Sequence, residues 1–386
     1  MKKPPAKQRK ISALGCSLGL TFLLVALGLL FLLPEKTNVP DYPLSRRVLE
    51  VAEREIRASK PAPTESARQY AYIAAAYADS LKTGDQSQAL YVGFVFIKQF
   101  NPKSTTQLDQ DQKQLVKTYH LRGITGDSGV SGGVRTIVGD YRTRNQSDGH
   151  DLLWDGVIPV GSGKWVKTKP IDPFTPRAGE WRRWYASADI AVTPPPVLGS
   201  PEDLNEIATV RQASAGRTGE DVNIINFWGG TPGTNTPSGI WQDQLYKTIA
   251  ADLPKHSQKK ADATYADIQK QLALTLSDAF MACWKVKFTY WTARPDMRTG
   301  GIITAMPDPY FPGYVSGHST ISKAASDVLS VLVPEHATAW EAMAVEARNS
   351  RLVAGIHFDV DNRVGFTLGT EVARQIIEKA QLAREL

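Results

Sequence analysis

The feature that most constrains the fold is a run from about Lys260 to Thr292 in which Ile268, Leu272, Leu276, Ala279, Phe280, Cys283 and Trp284 recur at three- and four-residue spacing. That period belongs to one face of an α-helix, and Pro295 is expected to end it. The same period is found over Arg46 to Ser59 and over Glu65 to Leu81, the latter through Ala67, Tyr70, Ala71, Ala74 and Tyr77. Ser200-Pro201-Glu202-Asp203 offers an N-cap residue, a first-turn proline and first-turn acids, so a helix is expected to begin there. Further helices are expected over Gly239 to Leu253, Ser319 to Leu332, Glu335 to Ala354 and Val364 to Leu382. From about Gly123 to Pro196 the chain is rich in Gly, Pro, Asp and Trp and lacks a clear period, which reads as long loops. Gly229 to Pro237 reads as another loop. No strand alternation is found, and the fold class is all-α.

The formal charge is +6, and five positive residues (Lys2, Lys3, Lys7, Arg9, Lys10) fall in the first ten positions. No basic stripe follows them, so nucleic acid is not expected as a partner. From Ile11 to Leu33 no residue is charged, a stretch about long enough to cross a bilayer at 1.5 Å per residue. The basic flank predicts a cytoplasmic N-terminus. This gives a basic tail over 1–10, a single membrane anchor over 11–33, a Pro-rich stem over 34–44 and one helical domain over 45–386, placed in the periplasm or outside the cell. Cys16 and Cys283 would lie on opposite sides of that boundary and are not expected to pair. Two cysteines and six scattered histidines give no zinc spacing.

Three clusters carry chemistry. Lys287 and Arg294, seven residues apart, are expected on one face of the long helix, about 10 Å apart along its axis, with side chains able to converge on an anion. Phe311-Pro312-Gly313-Tyr314-Val315-Ser316-Gly317-His318 is a glycine-punctuated turn entering a helix. Free N–H groups at the helix start, close approach at Gly317 and the Ser316 hydroxyl suit an anion, with His318 placed as an acid or base. In Ser350-Arg351 through His357 to Asp361, Gly355 is expected to end a helix and turn His357 back toward Arg351. Asp361 stands four residues past His357, within reach for orienting its ring if that segment is helical.

Taken together, Lys287-x6-Arg294-Pro295, Ser316-Gly317-His318 and Ser350-Arg351-x5-His357-x3-Asp361 resemble, in order and spacing, the signature of the type 2 phosphatidic acid phosphatase and vanadium haloperoxidase superfamily. Val315 departs from it, standing where many members have proline. The resemblance implies a helical bundle in which Lys287, Arg294 and Arg351 neutralise the oxygens of phosphate or vanadate, and Ser316 and Gly317 donate hydrogen bonds. His357 would attack phosphorus or ligate vanadium, His318 would shuttle protons, and Asp361 would support His357. A single apolar segment and a long helical region before the signature look like the haloperoxidase branch. Trp284 and Phe311 match positions beside the halide, or else pack the core. The leading expectation is a vanadate-dependent haloperoxidase that oxidises halide with hydrogen peroxide. The alternative is an acid phosphatase hydrolysing phosphomonoesters through a phosphohistidine, with no cofactor; an inactive binding protein is a third class.

Overall fold

A computed structural model describes residues 42–255 and 257–383. Its helices are α1 (Leu44–Ser59), α2 (Pro63–Thr83), α3 (Gln86–Phe100), α4 (Thr105–Thr118), α5 (Gly132–Gln146), α6 (Pro201–Ala215), α7 (Gly219–Phe227) and α8 (Thr236–Ile249). They are followed by α9 (Gln258–Tyr290), α10 (Pro295–Arg298), α11 (Gly317–Leu332), α12 (Ala337–Val353) and α13 (Asp359–Ala380). Among the described residues there is no strand, only isolated bridges such as Lys164 with Thr292. The all-α expectation is met.

The 33-residue α9 is the spine, as its apolar face predicts. It packs on α2 and α1 along one part of its length and on α11 and α13 along another. Leu272, Leu276, Ala279, Phe280, Cys283 and Trp284 are all buried in the principal core. Cys283 is a free thiol, held up from ionisation by burial. α11 lies against both α12 and α13. Gly369 permits that closeness: a Cβ there would stand 2.4 Å from the Thr320 carbonyl, so any larger residue would push α13 away from α11.

The irregular stretch between α5 and α6 is tied to α9 by its backbone. The buried Asp278 accepts from the N–H groups of Trp184, Tyr185 and Ala186 at 2.7, 2.8 and 2.8 Å. Trp284 Nε1 donates to the Phe174 carbonyl at 3.0 Å. Long unperiodic sequence is thus held down by polar groups reaching it from a regular helix, which supplies partners for loop N–H groups that would otherwise be buried unpaired.

Three sequence expectations need correction. The predicted loop region beginning at Gly123 contains α5, capped by Ser131 accepting from Val134 N–H. The long helix ends at Tyr290 rather than at Pro295, because Trp291 takes the left-handed conformation at its C-cap; Pro295 instead opens the short α10. The single-pass membrane localisation is overturned as well: among the described residues no helix is long and apolar enough to cross a membrane. The longest, α9, carries Lys260, Asp262, Asp267, Lys270, Asp278, Lys285 and Lys287 along its length, charges that hydrocarbon would reject. The segment 11–33 on which that expectation rested lies outside the described residues, as do the tail and most of the stem.

Candidate active site

Lys287 lies in the last turn of α9 and is fully buried. Its Nζ donates to the carbonyls of Pro312 and Gly313 at 2.8 and 2.7 Å. Because α9 stops at Tyr290, Arg294 does not share a helix face with Lys287, contrary to the spacing argument. The chain turns at Trp291, and the Ala293 N–H donates to Gly163 while the Gly313 N–H donates to Thr292. Arg294 arrives at the N-cap of α10 in extended conformation. From there its Nε and Nη2 donate to the Phe311 carbonyl at 3.2 and 3.1 Å, and its Nη1 reaches the Ile356 carbonyl and His357 Nε2 at 2.9 and 3.0 Å. The two cations do converge, by a route through the backbone rather than along one helix.

Ser316 is the N-cap of α11, its Oγ accepting from Ser319 N–H and its own N–H donating to the Asp361 carbonyl at 2.9 Å. The first N–H groups of α11, on Gly317 and His318, have no partner within the helix. A Cβ added to Gly317 would approach no protein atom closer than 3.9 Å, so packing does not demand glycine there. His318 donates from Nε2 to the Trp228 carbonyl at 2.6 Å, and the Trp228 indole is fixed in turn by Glu346 on α12.

α12 ends as expected at Gly355, with φ of +75°. Ile356 N–H donates to the Arg351 carbonyl and Gly355 N–H to the Leu352 carbonyl, the paired bonds of a left-handed helix end. This brings His357 back beside the buried Arg351. Asp361 sits in the first turn of α13, where its Oδ2 accepts from Phe358 N–H at 3.2 Å and from His357 Nδ1 at 2.9 Å. One carboxylate thus caps a helix and fixes a tautomer, leaving the lone pair of His357 on Nε2.

Gly317, His318, Arg351 and His357 line one cavity of about 210 Å³, together with Trp284 and Phe311, whose ring centroids are 4.7 Å apart. The side chains of Lys287, Arg294 and Ser316 do not line it and stand behind its wall. Lys287 Nζ is 5.9 Å from the Trp284 ring and 5.2 Å from the Phe311 ring. Residues that sequence reasoning passed over include Trp228, Phe174, Met306 and Asp308. Arg351 donates to the sulfur of Met306 and to the Ile225 carbonyl.

Positive charge predominates around the cavity. Lys287, Arg294 and Arg351 are each 0 % exposed, and among the described residues no carboxylate lies within ion-pair distance of any of them. Burial lowers the pKa of Lys287, and burial with the charge of Arg294 lowers that of Arg351. His318 and His357 are pushed well below the ordinary imidazole value, first by burial and then by these cations, so both rings are neutral. Burial raises Asp361, against the pull of Lys287 and Arg294. Buried cations without a carboxylate at ion-pair distance are costly, and an anion in the cavity, against Arg351 and in front of Lys287 and Arg294, would offset that cost.

The helical arrangement of the chain matches that of solved proteins. A family model described as the VCPO second helical-bundle domain matches residues 331–385. A bacterial vanadium-dependent iodoperoxidase superposes with a TM-score of 0.69 at 18% identity, covering 91% of this chain and 99% of its own. The chain has the vanadium-dependent haloperoxidase fold. Apo and holo forms of a bacterial vanadium-dependent chloroperoxidase give TM-scores of 0.63 and 0.61 at 12% and 13% identity, over 83% of this chain and 95% and 93% of theirs. The resemblance to the haloperoxidase branch read from the signature is met by the fold and by the family model alike. No curated protein matches the chain.

Proposed function

We propose that the protein is a vanadate-dependent haloperoxidase, oxidising halide with hydrogen peroxide. The observation that carries this reading is the trio of buried cations, Lys287, Arg294 and Arg351, gathered without carboxylate partners around a cavity lined by two neutral imidazoles. A tetrahedral oxyanion would supply the missing charge, and vanadate suits the donor set because Asp361 keeps the His357 proton on Nδ1, leaving an Nε2 lone pair that would pass from Arg294 Nη1 to the vanadium.

In this reading Arg351 in the wall and Lys287 and Arg294 behind it would neutralise the oxyanion, the Gly317 N–H would be a further donor, and His357 Nε2 would be the metal ligand. When bound, vanadium supplies a Lewis-acidic centre at which hydrogen peroxide becomes an oxidant for halide. Asp361 keeps the proton of His357 on Nδ1. His318, held by Trp228, exchanges a proton with the peroxide or the water produced. Trp284 and Phe311 give the cavity an apolar flank whose ring edges favour a weakly hydrated halide.

The test is to assay the purified protein with and without orthovanadate, once for halide oxidation by peroxide and once for phosphomonoester hydrolysis. Vanadate-dependent bromide or iodide oxidation supports the reading. Hydrolysis that vanadate inhibits would replace it with a phosphohistidine phosphatase working through the same residues.

A further inference from the structure

The loop Met306-Pro307-Asp308-Pro309-Tyr310-Phe311 brings a carboxyl group into the wall of the same cavity. The loop is pinned at its start by Arg351, which donates to the Met306 sulfur, and at its end by Tyr310 and Phe311. Phe311 holds Arg294 through its carbonyl, and the Tyr310 hydroxyl exchanges hydrogen bonds with the backbone of Lys169 at 2.6 and 2.8 Å. Prolines on either side fix the backbone around Asp308. Both carboxyl oxygens of Asp308 are shielded from solvent, and no donor of the protein reaches either one. The group within hydrogen-bond reach is another carboxyl, the exposed Asp296 at the start of α10. The negative charge of Asp296 disfavours a second one on Asp308, so it is Asp308 that stays protonated, with its own O–H unengaged by any protein acceptor.

A bare carboxylate in this wall would oppose the anion that the buried cations call for. A protonated one would assist it, since a carboxylic acid has an O–H to give. We propose that Asp308 is a further residue of the oxyanion pocket, a neutral carboxylic acid kept protonated by Asp296 that donates its O–H to a bound phosphate or vanadate. This rests on the oxyanion reading above and extends it to a residue outside the three-part signature. The burial of Asp308 and the negative charge of Asp296 raise its pKa to about 7, against the pull of Arg294. The donor is therefore present in mild acid and gives way to a repelling charge in mild alkali.

The other charged and titratable groups around the cavity are Lys169, His318, Arg351 and His357 in its wall and Lys287, Arg294 and Asp361 behind it. They are common to the wild type and an Asp308 variant, as is the titration of the ligand, so a ratio of affinities at one pH isolates Asp308. The experiment is to titrate inorganic phosphate into the full-length wild type and Asp308→Asn at pH 6 and pH 8.5. Asparagine keeps the shape and a donor but cannot ionise. The two proteins are expected to bind within about threefold of each other at pH 6, and the variant about tenfold more tightly than wild type at pH 8.5. Asp296→Asn, which removes the neighbouring charge and leaves Asp308 in place, is expected to move the alkaline loss of affinity about one pH unit lower. A change in affinity by the same factor at both pH values for Asp308→Asn, or an unmoved profile for Asp296→Asn, would overturn the role of Asp308 while leaving the oxyanion pocket intact. A wild type that binds no phosphate at either pH would overturn both.

Discussion

His357 Nδ1 and Asp361 Oδ2 stand 2.9 Å apart, both side chains buried, and the same carboxylate oxygen also receives the N–H that opens α13. The imidazole is therefore oriented by a helix start rather than by a mobile side chain. The Ser316 N–H on the Asp361 carbonyl binds that helix start to the start of α11. The two histidine-bearing segments are thus coupled through four backbone or carboxylate atoms.

Asp361→Asn replaces an oxygen that only accepts with an amide that can present N–H to Nδ1. The tautomer of His357 is no longer enforced, and orthovanadate binding is expected to weaken by about 10–100-fold. Equilibrium titration checks this, with Asp361→Ala expected to lose at least as much.

Arg351→Met keeps the length of the side chain and removes a buried charge that has no carboxylate partner. The ligand-free protein is expected to melt no lower than wild type, because an uncompensated cation has been taken out of the interior. Phosphate at about 100 times its dissociation constant should stabilise wild type by about 2.7 kcal/mol and the variant by much less. Thermal denaturation with and without phosphate reads both effects.

His318 has a pKa well below the ordinary imidazole value in the folded chain. Below pH 6.5 the unfolded chain takes up a proton there that the folded one refuses, so this residue's contribution to stability falls as pH falls. Compared with His318→Gln, which cannot titrate and can still donate to Trp228, wild type is expected to lose about 1.4 kcal/mol more per unit from about pH 6 downward. Using the difference between the two proteins removes the opposite contribution of Asp361, whose carboxyl is raised by burial. Denaturant unfolding at pH 5, 6 and 7 measures it.

Gly317→Ala is expected to leave the melting temperature almost unchanged, since the added methyl meets protein only at 3.9 Å or beyond. It would intrude on the cavity, and phosphate affinity is expected to drop by about tenfold or more.

The helical class, the spine α9 and the clusters around Lys287, His318 and His357 were legible because their apolar period is long and their chemistry lies in side chains. Gly355 was legible too, since a left-handed helix end selects glycine. α5 was not: it opens on Gly132-Gly133 and buries only Val134, Val138 and Asn145, too sparse a face to register as a period. The path of Arg294 was misjudged because Trp291 ends α9 in a left-handed turn that no glycine or asparagine announces. Trp228 contributes through its carbonyl, which every residue possesses, and so leaves no trace in the sequence. Asp308 lies in a proline-rich loop whose position depends on Tyr310 and Arg294, contacts far from local patterning. The membrane expectation rested on residues 11–33 alone and finds no support in any described helix.

The most direct measurement is calorimetric titration of orthovanadate and of phosphate into wild type and His357→Ala. Wild type should bind one oxyanion per chain, with the two ligands competing, and the variant should lose far more affinity for vanadate than for phosphate, because only vanadium draws on the Nε2 lone pair. No binding to wild type, or equal losses for the two ligands, would contradict the assignment of His357 as the vanadium ligand inside a cationic oxyanion pocket.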